Sequence, residues 1–182
     1  MVVGMPQQNE RAIGQHLGRI TVGGLSGKEL RLALTTSGVQ LNENAEWLLE
    51  RPEMLLPQPV ELSLVAVSMA ELGLEDGACL EEVYAAAQES GLALCPLATA
   101  AYLRLVHTEQ ESSDPELSRQ RPPEGALHIA SPILDPQFEV PKGFYLRTVD
   151  GQQWLRGYRC DLDYALPPTM TYVFARPESG SS

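Results

Sequence analysis

Asp150-Gly151 stands between two alternating runs, 143–149 and 152–158, and an Asp-Gly pair in that setting is the strongest short-range hairpin signal a sequence offers. Further β-type stretches at 126–133 and 171–175 make everything beyond about residue 125 read as strands joined by turns. A stretch that is wholly β with a hairpin at its centre points to a mainly antiparallel sheet, and that sheet needs helices or a second sheet to cover its apolar face.

The helices lie earlier. Ser26-Gly27-Lys28-Glu29 is a capping-box pattern opening a helix at 27–37, with Leu30, Ala33 and Leu34 on one face and Gly38 where a left-handed terminal residue is wanted. Asn42 caps a second helix, 42–51, with Trp47 and Leu48 inward and Pro52 closing it. The clearest helix is 78–91, where Leu80, Val83, Tyr84 and Ala87 recur at i, i+3, i+4 and i+7 and Gly91 ends the run. Pro96 suits the start of a short helix at 97–101, followed by an alternating strand at 102–107; a continuous helix to His107 is the competing assignment. Ile20, Val22 and Leu25 form a short β-like stretch broken by Gly23 and Gly24, and 61–68 is the best strand of the first half, alternating Leu62, Leu64 and Ala66 against Val65 and Val67.

This pattern predicts an α+β domain, its N-terminal helices packed on a mainly antiparallel sheet that the C-terminal half largely forms, with 61–68 adding one strand. Residues 1–19 read as a flexible N-terminal arm, 20–177 as a single domain, and 178–182 as a disordered tail. A long polar loop at 108–124 has no apolar face. A chain of 182 residues suits one core.

Twenty-four acidic against thirteen basic residues leave a formal charge of -11, which disfavours direct binding to nucleic acid or to anionic membranes. The same charge suits a basic protein partner or imitation of a nucleic-acid backbone, although solubility alone accounts for most acidic surfaces. Cys79, Cys95 and Cys160 have no C-x-x-C spacing and read as reduced thiols, and the N-terminus lacks a signal peptide pattern, so the sequence implies a cytoplasmic protein.

Catalytic signatures are sparse. His16, His107 and His128 form no H-x-x-x-H or H-E-x-x-H pair, so neither a metal nor a cofactor is expected. Gly23-Gly24-Leu25-Ser26-Gly27-Lys28 is followed by Glu29 where a phosphate loop requires a hydroxyl. Cys95, ahead of Pro96 at a helix start, is a conceivable nucleophile, and also an ordinary buried thiol. Cys95, Tyr102, Arg104, His107 and His128 are the weak catalytic candidates, and they become a site only if a pocket between helices and sheet brings them together.

Aromatic and arginine residues concentrate in the last third. Trp154, Arg156 and Tyr158, at i, i+2 and i+4, share one strand face and are the candidates for binding contact, because Trp, Tyr and Arg dominate interface hot spots. Cross-strand pairing that merely stabilises the sheet is the plainer explanation for the other aromatics.

Gly91-Leu92-Ala93-Leu94-Cys95-Pro96 followed by Leu103-Arg104-Leu105 resembles a family of small bacterial proteins with no established function, which carry a helix, a Leu-Cys-Pro turn and a Leu-Arg-Leu strand in this order. The likeness continues through Ile129-Ala130-Ser131-Pro132-Ile133 and Trp154-Leu155-Arg156-Gly157-Tyr158 to Val173-Phe174-Ala175-Arg176. It departs at Leu97-Ala98-Thr99-Ala100-Ala101, which replaces a more polar stretch, and in the longer loop at 108–124. The resemblance implies a stand-alone bacterial cytoplasmic protein and no particular activity. The expected function is therefore a non-enzymatic protein-interaction or regulatory domain, with a small enzyme or ligand-binding domain and an acidic nucleic-acid mimic as alternatives.

Overall fold

The computed structural model describes residues 13–108 and 125–177. The expectations for 1–12, for 109–124 of the polar loop and for the tail at 178–182 lie outside the described residues. In chain order the elements are β1 (Gln15–Val22), α1 (Gly27–Thr36), β2 (Gln40–Leu41), α2 (Glu43–Leu49), β3 (Val60–Ser68), α3 (Leu80–Glu89), α4 (Thr99–Val106), β4 (Leu127–Ile129), β5 (Gly143–Val149), β6 (Gln152–Tyr158) and β7 (Thr171–Arg176). A tight helical turn, Pro52–Met54, follows α2. Among the described residues the strands form one mixed sheet in the order β1-β3-β7-β4-β5-β6-β2. The β1–β3, β3–β7, β4–β5 and β5–β6 pairs are antiparallel, and β4–β7 and β2–β6 are parallel.

The chain is α+β, as the patterning implies, but helices and strands interleave, and the first half supplies β1, β2 and β3. Gln15–Arg19, expected in the arm, belong to β1. Among the described residues this strand pairs only with β3, and it carries a register shift between His16 and Gly18, so as a bulged edge strand it never shows the apolar alternation of a buried one. The strand expected at 102–107 is helical: α4 runs through Val106, the competing assignment. Ala98, Ala100 and Ala101 give this segment strong helix propensity, and its buried residues Thr99, Ala100, Leu103 and Arg104 repeat with a helical spacing. The Leu103-Arg104-Leu105 run therefore lies on a helix.

The caps form as the sequence reads. Ser26 Oγ accepts from Glu29 N at 3.2 Å while the Glu29 carboxylate accepts from Ser26 N at 2.7 Å, two otherwise orphaned donors satisfied reciprocally. The hairpin turn places Asp150 at φ 49 and Gly151 at φ 76, the paired left-handed geometry for which Asp-Gly is suited.

Period-2 alternation sorts the strand residues into two apolar clusters, one on each side of the sheet. Leu64, Ala66, Ile129, Phe144, Leu146, Leu155 and Val173 pack with Leu30 and Leu34 of α1, Leu48 and Leu49 of α2, and Leu103 of α4. Val65, Val67, Tyr172 and Phe174 pack with Leu80, Val83, Tyr84 and Ala87 of α3. Each fully buried Leu, Val or Phe contributes about 1.5–3 kcal/mol, so either layer alone outweighs any single surface contact. Gly157 of β6 lets α2 approach, since a Cβ there would stand 2.7 Å from the Asn44 carbonyl carbon.

The second cluster includes no residue of β5 or β6. On that side these two strands present Tyr145, Arg147 and Val149, and Gln152, Trp154, Arg156 and Tyr158, a face that is mostly aromatic and polar.

Candidate functional site

Register aligns a transverse row on the α3 side of the sheet. Val67 stands opposite Tyr172, Tyr172 beside His128, His128 opposite Tyr145, and Tyr145 opposite Arg156. Residues directly in register share a face, so the row runs from the core outward. Val67 and Tyr172 are fully buried and His128 is 4% exposed, while Tyr145 and Arg156 are half-buried.

His128 is the pivot of this row. Its ring stacks on Tyr145, centroids 5.1 Å apart and planes 21° apart, and meets Tyr158 edge-on at 5.4 Å. Tyr158 lies opposite Gly143, and a Cβ on Gly143 would come 3.5 Å from Tyr158 Cε1, so the bare glycine leaves room for the phenol to lean across β5 toward the imidazole. From α3, Tyr84 packs edge-on against Tyr172 at 6.3 Å, and its hydroxyl accepts from Ser131 N at 3.3 Å.

Burial sets the protonation of these groups. It pushes His128 down to about 4, against a smaller opposing effect from its hydrogen bond to the Thr171 backbone, so the imidazole is neutral at pH 7. Burial likewise raises Tyr84, Tyr158 and Tyr172 above the ordinary phenol range. The inner part of the row is thus an uncharged, packed joint between α3 and the sheet.

Its outer end has different chemistry. Tyr145 stands opposite Arg156 and Arg147 opposite Trp154, a block of two aromatics and two guanidinium groups on adjacent strands. The Arg156 guanidinium carbon lies 4.2 Å from the centre of the Trp154 ring, a cation–π stack that fixes a long flexible side chain. Arg147 is buried, and its pKa is lowered first by burial and then by the neighbouring charge of Arg156. Neither β5 nor β6 contains an acidic residue.

Arg104 braces this block from α4. It is fully buried, and Nη1 donates to the backbone carbonyls of Arg147 and Trp154, each at 3.4 Å, while Nη2 donates to the His107 carbonyl. Burial lowers its pKa to about 10, so the guanidinium stays charged at neutral pH.

The weak catalytic candidates occupy separate surroundings. Arg104 and His107 meet at the end of α4. Tyr102 accepts a hydrogen bond from Leu25 N at 3.1 Å. Cys95 is buried in the α1–α2–α4 layer, its N–H donating to Ala130 O at 2.7 Å, and burial pushes the thiol up to about 12, the reverse of an activated nucleophile. His128 belongs to the row on the other side of the sheet. Of the binding candidates, Trp154 and Arg156 stack on each other and Tyr158 turns its hydroxyl into the buried joint. Tyr145 and Arg147 complete the block, and only the β5–β6 register, which the Asp150-Gly151 turn fixes, identifies them.

Among the described residues, no group of three or more His, Cys, Asp or Glu is placed to hold a metal, and no helix is long and apolar enough to cross a membrane. Comparison with protein-family models, curated proteins and solved structures finds no match to the chain.

Proposed function

We propose that this chain is a non-enzymatic protein-binding domain whose contact face is the β5–β6 block of Tyr145, Trp154 and Arg156. The observation that carries the reading is the stacked Arg156–Trp154 pair in register with Tyr145 and Arg147, on the part of the sheet that the α3 cluster does not include. Half-buried Trp, Tyr and Arg held rigidly on a sheet lose little side-chain entropy on association, which is why such residues dominate interface energetics. The buried ionisable groups support the same reading, since His128 and the Cys95 thiol are both held neutral by burial. The partner is a protein, because the excess of acidic residues across the whole chain repels nucleic acid and anionic lipid. A cytoplasmic setting fits the three cysteines, all of them free thiols.

The test is affinity capture from a lysate of the organism that encodes the chain, using wild type, a Trp154→Ala/Arg156→Ala variant and a Leu32→Ala control. Leu32 is 68% exposed on α1. A partner retained by wild type and by the control, and lost with the double variant, is the expected result. No partner above background, or a partner retained equally by all three proteins, overturns the proposal, as does turnover of a substrate by the pure protein.

A further inference from the structure

A groove of about 620 Å³ opens between the start of α1 and the end of α2, within the ~300–1,000 Å³ that small-molecule sites occupy. Gly27 sets its shape. A Cβ there would stand 1.8 Å from the Leu49 carbonyl oxygen, so only glycine lets the two helices close at this end and leave the groove beyond them. Pro52 and Leu55 give it an apolar lining, and Leu55 is 48% exposed.

Arg31 and Arg51 of the groove have fixed partners. The Arg51 guanidinium lies 4.0 Å from the Trp47 ring centre and its Nε donates to the Trp47 carbonyl at 3.1 Å. Arg31 pairs with Glu46 at 2.9 Å, and Arg51 stands 3.6 Å from Glu50. Lys28 has no ion-pair partner among the described residues. Lys28, Arg31 and Arg51 against Glu46 and Glu50 leave this lining one positive charge in excess, in a chain whose formal charge is -11.

We infer that the groove binds a small amphipathic carboxylate, its apolar body over Pro52 and Leu55 and its anionic head between Lys28 and Arg51. The single excess charge matches a monoanion, and Glu46 and Glu50 repel a dianionic phosphate. Leu55 and its apolar neighbours distinguish the ligand from a bare inorganic anion, which gains nothing from such surface. The inference is independent of the β5–β6 contact face.

Trp47, beneath Arg51, reports occupancy. Octanoate, octanol and octyl phosphate are titrated into a Trp154→Phe variant, in which Trp47 is the remaining indole, and its fluorescence is followed. Octanoate is expected to saturate the signal, with octanol bound at least roughly tenfold more weakly, as loss of a charge-assisted contact implies. Lys28→Gln weakens octanoate by about the same factor and leaves octanol unchanged, whereas Leu55→Gln weakens both. Both sites lie on the groove surface, and unchanged thermal unfolding confirms that the variants fold. Equal binding of octanoate and octanol, tighter binding of octyl phosphate than of octanoate, indifference of octanoate to Lys28→Gln, or no saturable change overturns the assignment.

Discussion

Asn42 is joined to Gly157 by a side-chain amide that acts as one more peptide of the sheet. Its Nδ2 donates to the Gly157 carbonyl at 3.0 Å, and its Oδ1 accepts from the Gly157 N–H at 2.9 Å and from Ala45 N at 2.8 Å. The backbone pairing of β2 with β6 covers Gln40–Trp154 and Leu41–Leu155. One side chain therefore caps α2 and extends the ladder past the point where the backbone turns into a helix. Asn42→Ala removes the cap, worth about 1 kcal/mol, and strips partners from a buried peptide, worth about 1–3 kcal/mol more. Chemical denaturation is expected to show a loss of roughly 2–4 kcal/mol. Asn42→Asp keeps both accepted bonds but sets a carboxylate against the Gly157 carbonyl, so it recovers only part of that loss.

The same residue shows how far the sequence is legible. Asn42 is readable as a helix cap, because capping depends on neighbours a few residues away. Its bond to Gly157 crosses 115 positions, and nothing local announces it. The β5–β6 hairpin and the Trp154–Arg156 face are legible because strand alternation and the Asp150-Gly151 turn are local signals. Where His128 sits is not legible, since stacking on Tyr145 requires β4 to pair with β5, across a connection that carries no periodic pattern. The strand expected over part of helix α4 arises because Tyr102-Leu103-Arg104-Leu105 fits both periods, and the alanine-rich start of the segment with the helical spacing of its buried residues decides between them.

His128 makes stability fall in acid. Its folded pKa, about 4, lies below the unfolded imidazole value of about 6.5. Between these values the unfolded chain binds the proton and the folded chain does not. Stability from this group is therefore complete above about pH 6.5, falls as pH drops, and levels off below about pH 4, with a total loss on the order of 3 kcal/mol. His128→Phe keeps an aromatic ring against Tyr145 and removes the titration. Denaturant midpoints measured from pH 7.5 to 4 are expected to slope less steeply for the variant than for wild type. Equal slopes would place the acid sensitivity in other groups.

The thiols are expected to react in a definite order. Cys95 is 1% exposed with its thiol pushed up to about 12 by burial. Cys79 and Cys160 are half-exposed, and burial also raises Cys160 while the charge of Lys142 opposes the shift. Reaction follows thiolate fraction and access. With an aromatic disulfide reagent at pH 8, Cys79 is expected to react first, Cys160 more slowly, and Cys95 only after unfolding. Peptide mapping of the native, partly labelled protein reads this order directly. Early labelling of Cys95 would mean that the layer between α4 and the sheet opens without global unfolding.

Arg104 links α4 to the proposed contact face, and its substitution separates a positioning role from mere packing. Its guanidinium spans the carbonyls of Arg147 and Trp154 and that of His107, a reach that depends on several N–H groups in one rigid plane. Arg104→Lys preserves the charge and much of the stem, but an ammonium cannot serve all three acceptors at those separations, so a loss of about 1–3 kcal/mol is expected. If Arg104 only fills space, the damage stays within α4 and the Trp154 environment is unchanged. If it holds the ends of β5 and β6 together, Trp154 loses its fixed stack with Arg156, and near-ultraviolet circular dichroism and indole emission in a Trp47→Phe background change under conditions where the protein remains folded. Partner capture should then fall in Arg104→Lys although the residue is fully buried, because a hot spot depends on the rigidity of its side chains as well as on their presence.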